Sequence, residues 1–103
     1  MICIKIKSKD HRVEKISLLG HALYDDYGKD IVCAGVSAIL TTSINGALKI
    51  NENALSYHQT KDAFQIQVSS NDEITQKLMQ NMIELFQELA NNYPKNIKIE
   101  SEE

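Results

Sequence analysis

The sequence predicts an α+β fold, a single domain over residues 1–103 in ββαββαβ order, with a sheet of about five strands packed with two helices. Three observations carry this. Short runs near both ends alternate apolar and polar residues, two long stretches repeat apolar residues at helical spacing, and polar turns separate them.

Ile2, Ile4 and Ile6 alternate with Cys3, Lys5 and Lys7, the two-residue period of a strand with one buried face. SKDHR, residues 8–12, reads as a polar turn, and residues 13–19, with Ile16 and Leu18 on one face, complete a hairpin that ends at Gly20 and His21. From Asp30, a good N-cap, Val32, Val36, Ile39, Leu40, Ser43 and Ala47 follow helical spacing. That length makes roughly five turns. Gly35 inside the helix costs about 1 kcal/mol against alanine, so this helix must depend on tertiary burial. Ala34, Gly35 and Ala38 form a small-residue surface suited to close approach by a sheet or a partner.

INENA, residues 50–54, is a turn, and residues 55–58 and 63–69 read as a second hairpin around QTKD. Ser70 and Asn71 are N-cap candidates for a second helix whose apolar stripe is Ile74, Leu78, Met82, Leu85, Phe86 and Leu89. Pro94 prevents its continuation, and Ile97 and Ile99 mark a short last strand. Both helices on one face of the sheet is the favoured arrangement, with one on each face left open.

Composition narrows the classes of function. The chain is 43% hydrophobic and 24% charged, with a formal net charge of -3 and no polybasic run to hold a phosphate backbone, which disfavours direct nucleic-acid binding. MICIKIKSKD has neither the apolar core of a signal peptide nor a bilayer-length run, so an unexported, cytoplasmic chain with no membrane partner is expected. Cys3 and Cys33 make neither a disulfide framework nor a metal motif, and each is judged alone. So small a domain leaves helix and sheet faces uncovered, which makes self-association a reasonable expectation.

Chemistry concentrates in GHALYDDYGKDIVCAGVS, residues 20–37. With Asp30 as N-cap, Cys33 falls at the third helical position, near the positive end of the helix dipole, where thiolates are favoured. His21 follows Gly20, which permits close backbone approach or an unusual dihedral. A histidine there could take the thiol proton and return it to a leaving amine, as acyl transfer requires. Asp30 caps the helix or orients that histidine. Ser37 lies one turn beyond Cys33 on the same face and could hold a water or a substrate group. The loop formed by Ala22, Leu23, Tyr24, Asp25, Asp26, Tyr27, Gly28 and Lys29 could close over a ligand. First-turn amides would receive an oxyanion.

Each feature also has a plain structural reading. A single cysteine in an apolar helix is more often a small buried hydrophobe, and a histidine before a turn is more often a surface or capping residue. Spacing alone leaves both readings open. His11 and His58 sit in or beside hairpin turns with no acid or cysteine at ligand spacing, Cys3 faces away from the isoleucines, and Met79 and Met82 lie on a helical stripe. No CxxC, HxxxH or HExxH pattern supports a metal site, and no cofactor is implied.

GHA at residues 20–22 and YGKDIVCAGVS at residues 27–37 together resemble the signature of the Prp family of ribosomal-processing cysteine proteases, and the resemblance extends to chain length and element order. It implies a homodimeric cytoplasmic cysteine protease that removes the N-terminal extension from the precursor of a large-subunit ribosomal protein of the L-twenty-seven type. By motif position, His21 matches the family's catalytic histidine and Cys33 its nucleophile, with Asp30, Ser37 and Gly20 in support and residues 22–29 matching the mobile cover. Gly35 departs mildly from a second alanine common in the family. The alternative from another class is a non-catalytic ribosome-associated binding module using the same loop and helix.

Overall fold

The computed structural model describes residues 1–20, 27–61 and 63–103, with the side chains of residues 27–30 outside that description. The elements are β1 (Ile2–Lys9), β2 (Arg12–Leu19), α1 (Tyr27–Ile50), β3 (Leu55–Gln59), β4 (Ala63–Val68), α2 (Glu73–Asn92) and β5 (Ile97–Glu102), in the expected ββαββαβ order. The strands form one sheet in the order β3-β4-β2-β1-β5, antiparallel except where β1 runs parallel to β5.

Alternation decides which face is buried. Ile2, Ile4, Ile6, Ile16, Leu18, Ile66, Val68 and Ile97 are all buried on one face, while Lys5, Lys7, Gln65 and Gln67 stand exposed on the other. Val32, Val36, Ile44 and Ala47 of α1 and Met79, Met82, Phe86 and Ala90 of α2 join those strand residues in a single core. Both helices therefore cover the same face, the favoured arrangement. The window Ile31–Ile50 is apolar and long enough to cross a membrane by length and composition. A core helix has the same composition, and α1 turns its buried residues onto α2 and the sheet.

The first hairpin turns on Asp10 and His11, both left-handed at φ 53° and 64°. This is the geometry that lets a two-residue turn follow the right-handed twist of its strands. A register shift between Lys7 and Ser8 leaves one extra residue in β2, a β-bulge near the turn. Gln76 of α2 clamps it from below. The Val13 N–H donates to Gln76 Oε1 at 2.8 Å, and Gln76 Nε2 donates to the Val13 carbonyl at 3.1 Å. Those bonds satisfy a buried backbone that would otherwise cost about 1–3 kcal/mol per orphaned group.

Three sequence expectations shift. The helix of Cys33 begins at Tyr27, not Asp30, so Tyr27, Gly28, Lys29 and Asp30 form its first turn and belong to neither loop nor cap. First-turn N–H groups need no intrahelical partner, so residues of poor helix propensity are tolerated there, and the strongest capping side chain does not fix the boundary. In α2 the cap is Asp72, whose carboxylate accepts the Thr75 N–H, while Ser70 bonds that carboxylate instead of capping, and Asn71 also lies outside the helix. The buried stripe of α2 is Thr75, Gln76, Met79, Met82, Phe86 and Ala90, whereas Ile74 and Leu85 are 54% and 37% exposed. Gln76 is drawn inward by its bonds to Val13, which rotates the stripe by about one position.

Candidate active site

Cys33, Val36, Ser37 and Leu40 share one side of α1, at the i, i+3, i+4, i+7 spacing that makes a single helical face. They form one wall of a cleft of about 140 Å3 at the end of the sheet. The other wall comes from strand ends: Ile2, Leu18 and Gly20, and the tip of the second hairpin with Gln59, Thr60, Lys61, Ala63 and Phe64. Cys33 is partly buried and in no disulfide, with its side chain against the core, so this cleft offers a route to its sulfur. Ser37 is exposed one turn further on.

Gly20 closes the strand side. Its φ is +84°, and a Cβ built there would stand 2.6 Å from the Met1 carbonyl oxygen. Both reasons for expecting glycine, unusual dihedral and close approach, hold. On the far side of α1, Gly35 meets the Leu89 methyls, with an ideal Cβ 3.2 Å from Cδ2, so close approach at the small-residue surface is to α2, while Ala34 and Ala38 are exposed.

Because α1 starts at Tyr27, Cys33 lies in its second turn and its own N–H belongs to the helix ladder. The free amides of that terminus belong to residues 27–30, and dipole stabilisation fades beyond the first turn. The predicted helix-terminus support for a thiolate at Cys33 is therefore not provided. The candidate base, His21, lies outside the described residues, as do Ala22, Leu23, Tyr24, Asp25 and Asp26.

A larger depression, about 430 Å3, lies on the opposite face of the sheet between Lys5, Lys7, Lys15, Glu100 and Glu102. It holds no thiol and no histidine, and its mixed charges suit neither a nucleophile nor a uniform anion, so size does not identify the site.

The family model for cysteine protease Prp matches residues 1–98. The chain belongs to the Prp cysteine protease family. A ribosomal processing cysteine protease Prp of Staphylococcus aureus is 32% identical over 103 residues, covering 96% of this chain and 97% of its own. A Bacillus subtilis Prp is 26% identical over 105 residues, covering 90% and 89%. The crystal structure of a Staphylococcus aureus Prp with a covalently linked product peptide matches with a TM-score of 0.88 at 30% identity, covering 99% of this chain and 100% of its own. The fold is thus that of Prp throughout, and the chain is a cysteine protease of the ribosomal-processing class.

Sequence reasoning missed one side of the Prp cleft. QTKD reads as a solvated turn, and only the pairing of β4 with β2, Leu18 opposite Phe64 and Leu19 opposite Ala63, carries that turn to the end of β2. Phe64, on the same face of β4 as the buried Ile66 and Val68, is half-buried beside that turn. Nothing in the local pattern signals that its partner across the cleft is Cys33.

Proposed function

We propose that this chain is the endopeptidase that removes the N-terminal extension of a ribosomal protein of the L-twenty-seven type, with Cys33 as nucleophile and His21 as general base and then acid. The observation that carries this reading is the cleft itself: Cys33 forms one wall, and Gly20, the residue covalently joined to His21, forms the other. In the reaction His21 takes the thiol proton, and the sulfur bonds to the scissile carbonyl carbon. The C–N bond then breaks as His21 returns the proton to the leaving amine. Water, deprotonated by His21, attacks the thioester and frees the carboxylate and Sγ. The Ser37 hydroxyl, exposed on the same helical face, is a candidate donor to the oxyanion in place of first-turn amides. Asp30, in the first turn of α1, keeps a supporting role in orienting His21, and the cover expected at residues 22–29 narrows to residues 22–26, because Tyr27, Gly28 and Lys29 belong to α1.

The same reading makes residues 1–103 one protease unit working as a cytoplasmic homodimer. Its support is the outer face of α1, where Ile31, Ala34 and Ala38 are exposed on a stretch with no charged residue from Ile31 to Leu48. Incubation with a synthetic peptide spanning the extension of the host's own ribosomal protein tests the assignment. Cys33→Ala and His21→Ala each abolish cleavage by at least about a thousandfold, since members of one catalytic unit fail together. Undiminished cleavage by either variant, or no cleavage by the unaltered protein, sinks it.

A further inference from the structure

Among the described residues, strand β3 is bonded on one side only, because the order β3-β4-β2-β1-β5 places it at the edge of the sheet. The ladder tells which of its peptide groups face the open side. The Thr60 N–H donates to the Ala63 carbonyl at 2.8 Å and the Ser69 N–H to the Ala54 carbonyl at 2.9 Å. Bonded and non-bonded pairs alternate in an antiparallel ladder, so Ser56 with Gln67 and His58 with Gln65 are the bonded pairs between them. Tyr57 and Gln59 therefore turn their N–H and C=O groups away from β4. The strand, LSYHQ, also lacks the lysines and prolines by which protein edges are commonly blunted against added strands.

This open edge runs directly into the cleft of Cys33. Gln59, at the end of β3, and Thr60 line that cleft. The Tyr57 side chain is 55% exposed, on the same face of the sheet as Phe64, and its ring stacks on Phe64 with centroids 5.4 Å apart and planes 11° from parallel. Phe64 in turn lines the cleft, so Tyr57 and Phe64 make a continuous apolar shelf beside the edge, ending at the nucleophile.

We propose that the substrate polypeptide docks in extended form as a sixth strand on β3, paired with the backbone of Tyr57 and Gln59, and so delivers its scissile bond to the cleft. Such strand addition takes affinity from main-chain bonds and specificity from alternate side chains, here those that lie over the Tyr57–Phe64 shelf. The docking mode rests on the proteolytic reading but is tested apart from it.

Amide hydrogen exchange is read residue by residue by NMR on the full-length Cys33→Ala variant, with and without saturating peptide spanning the extension. Without peptide, the Ser56 and His58 amides exchange slowly and those of Tyr57 and Gln59 fast. With peptide, the Tyr57 and Gln59 amides slow by at least tenfold, and N-methylation of the peptide at alternate residues removes that slowing. Unchanged exchange at both positions, or N-methylation effects without alternation, overturns the docking mode. Cleavage of the unmodified peptide by the unaltered protein, measured in parallel, tests proteolysis separately, so slowed exchange without cleavage sinks the protease assignment and leaves the docking standing.

Discussion

Gly20 is the residue on which the local geometry of the site is most strictly built. A left-handed backbone at φ +84° costs a residue with a Cβ about 1–2 kcal/mol. The added methyl at Gly20 would also press on the Met1 carbonyl, a backbone atom that no rotamer change can move aside. Gly35 differs in kind, because its neighbour is the methyl end of Leu89, a side chain free to turn. Gly20→Ala therefore lowers unfolding free energy by about 2–3 kcal/mol in a denaturant titration. It also lowers kcat/KM at temperatures where the variant remains fully folded, because Gly20 and Ile2 both line the cleft. Unchanged kcat/KM in the folded variant would show that the Gly20 conformation does not set the position of His21.

Among the elements, α2 carries a titratable end. The Ser70 hydroxyl bonds the Asp72 carboxylate, which also accepts the Thr75 N–H at 3.3 Å, and the Asp72 N–H returns to Ser70 Oγ at 3.2 Å. The Ser70 bond first, and then that of Thr75, holds the Asp72 carboxyl below its ordinary 3.8. A carboxyl whose folded value is depressed contributes stability that is fully present above the ordinary value and lost as pH falls through the folded one. The cap therefore loosens only in acid, below about pH 4. Asp72→Asn keeps an acceptor but cannot titrate, so its thermal stability falls less steeply than that of the unaltered protein from about pH 4 to pH 2. Parallel curves for the two proteins would remove Asp72 from the acid response. Gln76 shows the other side of the same helix end: a polar residue that the apolar pattern of α2 excludes from the core is buried because Val13 needs both of its bonds.

On the scale of the whole molecule, what was legible in the sequence is what depends on neighbours along the chain. The alternation of Ile2, Ile4 and Ile6 and the spacing of Val32 and Val36 report burial directly, since period and face are linked by backbone geometry. The paired motifs GHA and YGKDIVCAGVS marked residues 20–37 as the stretch to look at, and the structure brings Gly20 and Cys33 to one cleft. The start of α1 and the cap of α2 were misplaced by a few residues because helix ends are settled by what they pack against. The hairpin wall of the cleft was invisible because it exists only through sheet order. Sheet order also governs the two ends of the chain. Strand β1 lies between β2 and β5, and Ile2, a cleft residue, pairs with Ile97 and donates its N–H to the Asn96 carbonyl at 2.8 Å. A chain ending at Asn96 leaves β1 without its parallel neighbour and uncovers Ile2, Ile4 and Ile6, all 4% exposed or less. Loss of cooperative unfolding and of cleavage is the expected outcome, and a cooperative, active truncated protein would contradict it. During synthesis β1 must therefore wait for β5: His21, Cys33 and both hairpins are all polymerised before the partner strand that completes the sheet. A nascent chain that has not yet added β5 carries both hairpins and α1 without the parallel neighbour of β1, so the Ile2 wall of the cleft is fixed only once that pairing forms.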